Sequence, residues 1–195
     1  MRIIAGKFKN RRLNTFEISS TRPTSDLIRG AVFNSIGYKI EDALFLDLFA
    51  GSGAMGLEAI SRNAKKSFFC DKNKQCTELI KNNAKLLNIN NFEILNKDYL
   101  TALNHFKNIG IAFDIIYLDP PYMSNFAENA IKFVCENCLL KEDGLLLWEH
   151  DNSKNDTIKS LGLDSTKKYG SKFVSKFNYE QLNLLVQCIN MQNNK

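Results

Sequence analysis

Short apolar runs alternate with longer amphipathic segments through the middle of the chain. The runs are as long as strands, and the segments between them repeat their apolar residues with the period of a helix. Such alternation is typical of a mostly parallel sheet that is covered by helices on both faces. We therefore predict an α/β fold with a doubly wound, Rossmann-like sheet. The predicted strands are 44–47, 66–70, 92–95, 113–118 and 145–148, and the main helices between them are 73–88, 99–106 and 126–138.

The end of the chain is predicted to add antiparallel strands at one edge of this sheet. Residues 166–177 and 179–189 have the composition of two strands, with a turn at Asn178 between them. A weaker helix is predicted over residues 153–161. With these two strands, the predicted sheet has seven.

The beginning of the chain is predicted to form a separate small extension. Residues 2–5 and 10–15 are predicted to pair as a small β-hairpin. A helix is predicted to begin near Thr24 and to end at Gly37, because glycine favours the left-handed conformation that ends helices. The predicted boundary divides the chain into an extension at 1–37 and a main domain at 38–195.

The first predicted strand ends on an acid and leads into a glycine-rich loop. Residues 43–56 read ALFLDLFAGSGAMG, with Asp47 at the strand end and the spacing Gly51-x-Gly53-x-x-Gly56 after it. A strand, a glycine turn and a helix start a nucleotide-binding βαβ unit, although a plain strand-to-helix turn has the same pattern. A carboxylate here repels the pyrophosphate of a dinucleotide and attracts a sulfonium or ammonium cation. The loop therefore favours S-adenosylmethionine over NAD as the cofactor.

Four successive strands of the predicted sheet end in an acidic residue, and these are Asp47, Asp71, Asp98 and Asp119. The ligand crevice of such a sheet lies at the carboxyl ends of the strands. Asp71 follows Gly51 by twenty positions, which is where a ribose-binding acid is expected. Asp98, or the backbone beside it, is expected near the adenine. Each acid alone could be a helix cap, but the four together at one sheet edge indicate a ligand site.

The most specific motif of the chain is Asp119-Pro120-Pro121-Tyr122, which follows the apolar strand at 113–118. The two prolines stiffen the backbone and remove two amide donors. The Asp119 carboxylate and the Pro120 carbonyl form an acceptor pair that can hold an exocyclic amino group. Tyr122 can stack on a base that has left its helix or loop. The motif predicts transfer of a methyl group to the amino group of a base.

The net charge of the chain is +5, and it is concentrated at one end. Residues 1–30, the amino-terminal arm, contain seven basic and two acidic residues, so the whole excess lies there. A basic arm ahead of a near-neutral domain indicates a polyanionic partner such as RNA. A charged tail that only keeps the protein soluble is the alternative.

The five cysteines show no spacing that is typical of a disulfide framework. We therefore expect a reducing compartment, namely the cytoplasm. Cys135-x-x-Cys138 lies in a predicted helix without a second pair of metal ligands, and is interpreted as structure and not as a zinc or redox site. No signal peptide or membrane span is predicted, and no metal site is expected.

Together these residues resemble the class I S-adenosylmethionine-dependent methyltransferases that act on amino groups in nucleic acid. Over nearly the whole chain they resemble more closely the bacterial family that methylates the N2 amino group of a guanine in 16S ribosomal RNA. The sequences that carry the closer match are RIIAGKFKNRRL at 2–13 and RPT at 22–24, which leads to a helix with Arg29. One departure from the family pattern is Gly30, where a glutamate is expected beside Arg29.

The resemblance implies roles for individual residues. The residues implied for the cofactor are Asp47, Phe49, Gly51, Gly53, Asp71 and Asp98. Those implied for catalysis are Asp119, Pro120, Pro121 and Tyr122, and those implied for RNA phosphates are Arg2, Lys7, Arg11, Arg12, Arg22 and Arg29. The implied partner is 16S ribosomal RNA or the small ribosomal subunit, and the implied state is a monomer.

Other functions remain open on the sequence alone. The motif at 119–122 does not distinguish guanine N2 from adenine N6 or cytosine N4, in RNA or in DNA. Against DNA, the chain has no additional domain-sized segment for reading a target sequence. Two further alternatives are an inactive RNA-binding assembly factor and an NAD-dependent enzyme. In either case, the strand-end acids and the motif at 119–122 would have no role in catalysis.

Overall fold

A computed structural model describes residues 1–16, 26–121, 125–151 and 166–193 of the protein. The described strands are β1 Leu44–Asp47, β2 Lys66–Cys70, β3 Phe92–Leu95, β4 Phe113–Leu118, β5 Leu140–His150, β6 Thr166–Tyr169 and β7 Lys172–Phe177. The described α-helices are α1 Asp26–Ile36, α2 Ala54–Ser61, α3 Lys74–Leu86, α4 Tyr99–Asn108, α5 Phe126–Glu136 and α6 Tyr179–Asn193, and a 3₁₀ turn covers Gly37–Ile40.

The seven strands form a mixed sheet, and the chain divides into two compact units, Met1–Ala102 and Leu103–Lys195. In the first unit, β1 pairs in parallel with β2, and β2 pairs in parallel with β3. In the second unit, β4 and β5 are parallel, while β7 pairs antiparallel with both β5 and β6. The predicted α/β class and the antiparallel hairpin near the carboxyl terminus are thereby confirmed.

The strands of that hairpin differ from the predicted ones. Residues 166–177 do not form one strand, because the chain reverses at Gly170, whose φ of +63° suits glycine. Residues 179–189 were predicted as a strand and are helical. The helix begins with a reciprocal cap, in which Gln181 N–H donates to Asn178 Oδ1 and Asn178 N–H donates to Gln181 Oε1. The buried positions Leu182, Leu185 and Val186 then repeat with helical spacing.

Strand β5 is longer than predicted, since it spans Leu140–His150 and not only 145–148. Its buried residues are continuous from Gly144 onward, as expected for a strand that is covered on both faces. The weaker helix predicted over 153–161 lies outside the described residues. Within the part of the chain that the structure describes, no helix has the length and apolarity needed to span a bilayer.

The first sixteen residues are built into the core of the first unit. Within them the chain reverses its direction and forms one antiparallel bridge, between Arg2 and Arg12. The predicted hairpin is therefore present in a minimal form. Ile3 is fully buried and Leu13 nearly so, in one apolar cluster with residues of α2 and α3. Gly6 lies so close to α2 that a Cβ there would stand 1.8 Å from the carbonyl oxygen of Ser61. Residues 1–16 are therefore held in a defined position on α2 and α3.

Candidate functional site

The acid at the end of β1 organises the glycine loop. Asp47 is buried, with 2% of its surface exposed, and its Oδ2 accepts a hydrogen bond of 3.1 Å from Gly56 N–H in the first turn of α2. A carboxylate is stabilised at this place because the amides and the dipole at the start of a helix favour negative charge. Asp47 thus joins the strand to the helix.

Gly53 immediately precedes α2 in the left-handed conformation, with φ of +76°. A Cβ at this residue would stand 2.7 Å from Cγ1 of Ile80, so a larger residue would be both strained and crowded. Gly51 also has a positive φ, of +51°, but a Cβ there would meet no atom within 4 Å. The loop is therefore packed tightly at Gly53 and open at Gly51.

Asp71 is bound to the same loop from the end of β2. Its Oδ2 accepts from Gly51 N–H at 2.8 Å, and its Oδ1 accepts from Asn73 N–H at 2.8 Å. A carboxylate has about four acceptor positions, so Asp71 can still accept another hydrogen bond, for example from a hydroxyl. Asp71 orients the glycine loop and keeps acceptor capacity for a ligand.

Asp98 follows β3 and caps α4. Its carboxylate accepts from the N–H groups of Leu100 and Thr101, each at 3.1 Å, and from the Thr101 hydroxyl. The hydrogen bonds from Thr101 hold the pKa of Asp98 below its ordinary value. The side chain serves as a helix cap, and the predicted contact of Asp98, or of the backbone beside it, to adenine stays a prediction.

Two aromatic residues lie beside the loop, and only one of them, Phe49, was predicted as a site residue. The rings of Phe49 and Tyr99 are both half-buried, with their centroids 5.4 Å apart. Phe49 follows β1, and Tyr99 begins α4, directly after the acid that follows β3. Sequence reasoning missed Tyr99, although its position next to a strand-end acid is a usable signal.

The carboxylates at the ends of β1, β2 and β3 act together electrostatically. The pKa of the Cys70 thiol is raised to about 12, first by burial and then by the negative charges of Asp71, Asp98 and Asp47. A negative edge of this kind opposes a pyrophosphate and favours a cationic ligand. The sulfonium and ammonium groups of S-adenosylmethionine fit this edge, and the open backbone at Gly51 leaves room beside it.

In the second unit, Asp119 follows β4 and belongs to a cluster of charged side chains. Lys172 Nζ, from β7, lies 2.7 Å from Glu149 Oε1 and 3.9 Å from Asp119 Oδ1. The Tyr117 hydroxyl donates to Glu149 Oε2 at 2.5 Å. Glu149 is 3% exposed, and a buried carboxylate requires such partners. Sequence reasoning missed Glu149, Lys172 and Tyr117.

The cluster changes the acidity of Asp119. Although 31% of the Asp119 side chain is exposed, protein atoms surround most of its carboxyl group. This burial raises the pKa of Asp119 to about 7. The negative charge of Glu149 also raises the pKa, while the positive charge of Lys172 lowers it. The group therefore titrates near neutral pH.

The rest of the motif at 119–122 is described only in part. Pro120 is half-buried and Pro121 is exposed. Tyr122 lies outside the described residues, so its predicted stacking stays a prediction.

The basic side chains of the arm divide into two groups. Arg2, Lys7, Arg11 and Arg12 are exposed, as a surface for phosphates requires. Lys9, on the same chain reversal, is exposed as well. Arg22 lies outside the described residues.

Arg29 does not fit the predicted role. Its side chain is fully buried, and a buried guanidinium cannot reach a phosphate of bound RNA. It donates to the Arg2 carbonyl at 2.7 Å and to Asp26 Oδ1 at 2.7 Å, and its Nε lies 3.6 Å from Glu58 Oε2. Arg29 is thus paired with carboxylates from its own helix and from α2, although no glutamate follows it at position 30.

The buried carboxylate of Glu58 also holds the arm directly. It accepts from the backbone N–H groups of Ile4 and Ala5, at 2.8 and 3.0 Å, and from Arg62 Nε at 2.8 Å. Arg29 and Glu58 therefore form the attachment of the arm to α2 and are not part of its outer surface.

Comparison with known proteins places these features in a family. The family model described as Conserved hypothetical protein 95 matches residues 1–178. The Ribosomal RNA small subunit methyltransferase D of Haemophilus influenzae is 37% identical over 156 residues, covering 79% of this chain and 80% of the relative. The protein of the same name from Escherichia coli K12 is 31% identical, covering 77% and 75%. The solved structure of yhhF from Escherichia coli superimposes with a TM-score of 0.79 and 28% identity, covering 91% of this chain and 97% of that one.

Proposed function

Because the chain belongs to the ribosomal RNA small subunit methyltransferase D family, we propose that it methylates the N2 amino group of a guanine in 16S ribosomal RNA. The donor is S-adenosylmethionine, which supplies an electrophilic methyl group when bound. The observation that carries the proposal is the position of Asp119, whose carboxyl follows a buried strand, lies 3.9 Å from Lys172 Nζ and is followed by two prolines.

The first unit supplies the groups that would hold the donor. Asp47 and Asp71 would face its cations and its ribose hydroxyls, and the backbone at Gly51 and Gly53 would let it approach closely. Phe49 would line the adenine side of the site. Support comes from the hydrogen bonds that tie Asp47 and Asp71 to the loop, since these bonds hold the carboxylates in place before the donor arrives.

The second unit supplies the groups that would act on the base. Asp119 and the Pro120 carbonyl would accept the two hydrogens of the amino group, which draws its lone pair away from the ring and toward the methyl group. When the new nitrogen–carbon bond forms, one nitrogen–hydrogen bond must break. A carboxylate whose pKa is about 7 can take that proton at neutral pH. Tyr122 would stack on the base.

The substrate in this proposal is RNA, as naked 16S ribosomal RNA or in the small subunit, and the protein acts as a monomer. The names of the relatives in Haemophilus and Escherichia support an RNA of the small subunit. The exposed basic residues of the arm support a polyanionic substrate. Phosphate contacts position the RNA, and the base pocket selects the nucleotide.

The decisive experiment is mass spectrometry of 16S ribosomal RNA nucleosides from cells with and without this gene. We expect N2-methylguanosine to be lost at one position and to be restored by the purified enzyme with S-adenosylmethionine. Loss of N6-methyladenosine or N4-methylcytidine instead would assign the same chemistry to another base. If no methylated nucleoside changes, the protein is not the proposed enzyme.

A further inference from the structure

The hairpin of β6 and β7 carries a second concentration of positive charge, which is distant in the sequence from that of the arm. Residues 166–177 contain four lysines and no acidic residue. Gly170 turns the chain between the two strands, with φ of +63°. Among the described strands, β6 is the last in the order of the sheet, so its outer edge has no strand beside it.

The register of the hairpin shows which of these lysines lie on the same face of the sheet. Tyr169 pairs with Lys172, and Lys167 pairs with Val174, so these cross-strand partners share one face. Alternation along β7 adds Lys176 to the same face. Lys168 pairs with Phe173 on the opposite face, and its Nζ lies over the Phe173 ring at 5.7 Å. One face therefore carries three of the four lysines together with an aromatic ring.

That face continues directly to Asp119. Glu149 of β5 pairs with Val174, which places Glu149 on the same face of the sheet. Lys172 reaches from this face to both Glu149, at 2.7 Å, and Asp119, at 3.9 Å. Lys167 is exposed, while Tyr169 and Lys176 are half-buried. The hairpin therefore lies beside the residue at which the proposed function places the target base.

We propose that the hairpin face formed by Lys167, Tyr169 and Lys176 binds the RNA strand next to the target nucleotide. Lys167 and Lys176 contact phosphates, and Tyr169 stacks on a base that neighbours the target. The pattern suits single-stranded nucleic acid, because ammonium groups follow the backbone while an aromatic ring accepts any base. The inference rests on the proposed function, which places the target base at Asp119.

A simpler explanation of the lysines exists and makes a different prediction. Lysine on an outermost strand prevents unwanted pairing with other strands. In that case, the face on which a lysine lies has no importance for RNA binding. Lys167 and Lys168 are adjacent, both exposed and both on β6, but they lie on opposite faces, so they form a matched pair for the test.

The experiment measures equilibrium binding of a 16S ribosomal RNA transcript over a series of salt concentrations. In Lys167→Gln, we expect the salt slope to fall by about 0.7–0.9, the value for one lost phosphate contact. In Lys168→Gln, we expect the wild-type slope. Tyr169→Leu should weaken binding by about fivefold or more, while Tyr169→Phe, which keeps the ring, should bind normally. Thermal melting of each variant confirms that the fold is intact.

The outcomes separate this inference from the proposed function. If the enzyme methylates its guanine but Lys167→Gln and Lys168→Gln change the salt slope equally, the hairpin face is not a specific RNA surface. If the variants differ as expected while the wild type methylates no RNA, the proposed function fails and RNA binding at the hairpin stands. If Lys167→Gln weakens binding to assembled small subunits but not to the transcript, the partner of the face is a protein and the inference is wrong.

Discussion

Lys172 and Glu149 form an ion pair of 2.7 Å, and the same ammonium group lies 3.9 Å from Asp119. The pair joins β5 and β7 beside the acid that follows β4. The two members act on Asp119 in opposite directions, since the lysine lowers its pKa and the glutamate raises it. The net balance, together with burial, leaves that pKa at about 7.

The first prediction concerns the pH dependence of methyl transfer. Only ionised Asp119 can accept both a hydrogen bond and a proton, so kcat/KM should rise with pH through the pKa of about 7. Lys172→Met removes the nearby cation, so we expect this rise to move to higher pH by on the order of one unit. Lys172→Arg keeps the charge and should largely keep the wild-type profile. A pH profile that is the same in Lys172→Met as in the wild type would contradict the role of the pair.

In the same measurement, Glu149→Gln should shift the pH profile in the opposite direction. The substitution removes the negative charge that raises the pKa of Asp119, while the amide oxygen can still accept from Tyr117. The rise in kcat/KM should therefore move to lower pH. A shift in the same direction as in Lys172→Met would indicate a general loss of structure.

The second prediction separates chemistry from cofactor binding. Asp119→Ala removes the acceptor of the amino group, so we expect turnover to be lost. The proposed contacts to the donor come from carboxylates of the first unit and not from Asp119, so binding of S-adenosylhomocysteine should remain nearly unchanged. Calorimetry and a methyl-transfer assay on the same preparation test both points. Methyl transfer at the wild-type rate would refute the role given to Asp119.

The third prediction concerns Asp71. Its replacement by alanine frees the amides of Gly51 and Asn73 and, if Asp71 binds the ribose as proposed, leaves the ribose hydroxyls without a charged acceptor. We expect affinity for S-adenosylmethionine to fall by about 1–3 kcal/mol, as measured by calorimetry. Lys72→Ala, next to it in the chain, is the control and should bind normally. Unchanged affinity, with NAD bound instead, would overturn the choice of cofactor.

The fourth prediction concerns the outer surface of the arm. Arg11 and Arg12 are exposed, and their removal should lower the salt slope of RNA binding by about one to two phosphate contacts. Affinity for S-adenosylmethionine should not change, and the same nucleotide should be methylated more slowly. If the slope stays constant, the arm serves solubility. If another nucleotide is methylated, the arm reads bases.

The fifth prediction concerns Arg29, whose side chain is buried. Arg29→Met leaves the buried carboxylate of Glu58 without one of its two cations, so we expect the free energy of unfolding to fall by about 3–5 kcal/mol. Arg12→Met, on the exposed surface, should change it by no more than about 0.5 kcal/mol. Urea denaturation of both variants measures the difference. Equal stabilities would mean that Arg29 is not a structural residue.

The βαβ order and the glycine loop could be predicted from the sequence because their determinants are local. The apolar run before Asp47, the glycines after it and the helix at residue 54 lie within a few residues of one another. The pairing of parallel strands then brings Asp47, Asp71 and Asp98 toward one edge. The carboxyl-terminal helix was missed for a local reason as well, because the cap formed by Asn178 and Gln181 was interpreted as a turn between strands.

Tertiary structure alone decided how charged residues that are distant in the sequence are combined. Nothing near Arg29 in sequence shows that it is buried against Glu58, and nothing near Asp119 shows that Lys172 reaches it from β7. Charge looks the same in a sequence whether it is solvated or buried, since burial depends on which elements pack together. The sequence by itself determined the class of fold and the acids that end the strands. The packing of the folded chain decided which basic residues hold the structure, which adjust the acidity of Asp119, and which remain exposed for a partner.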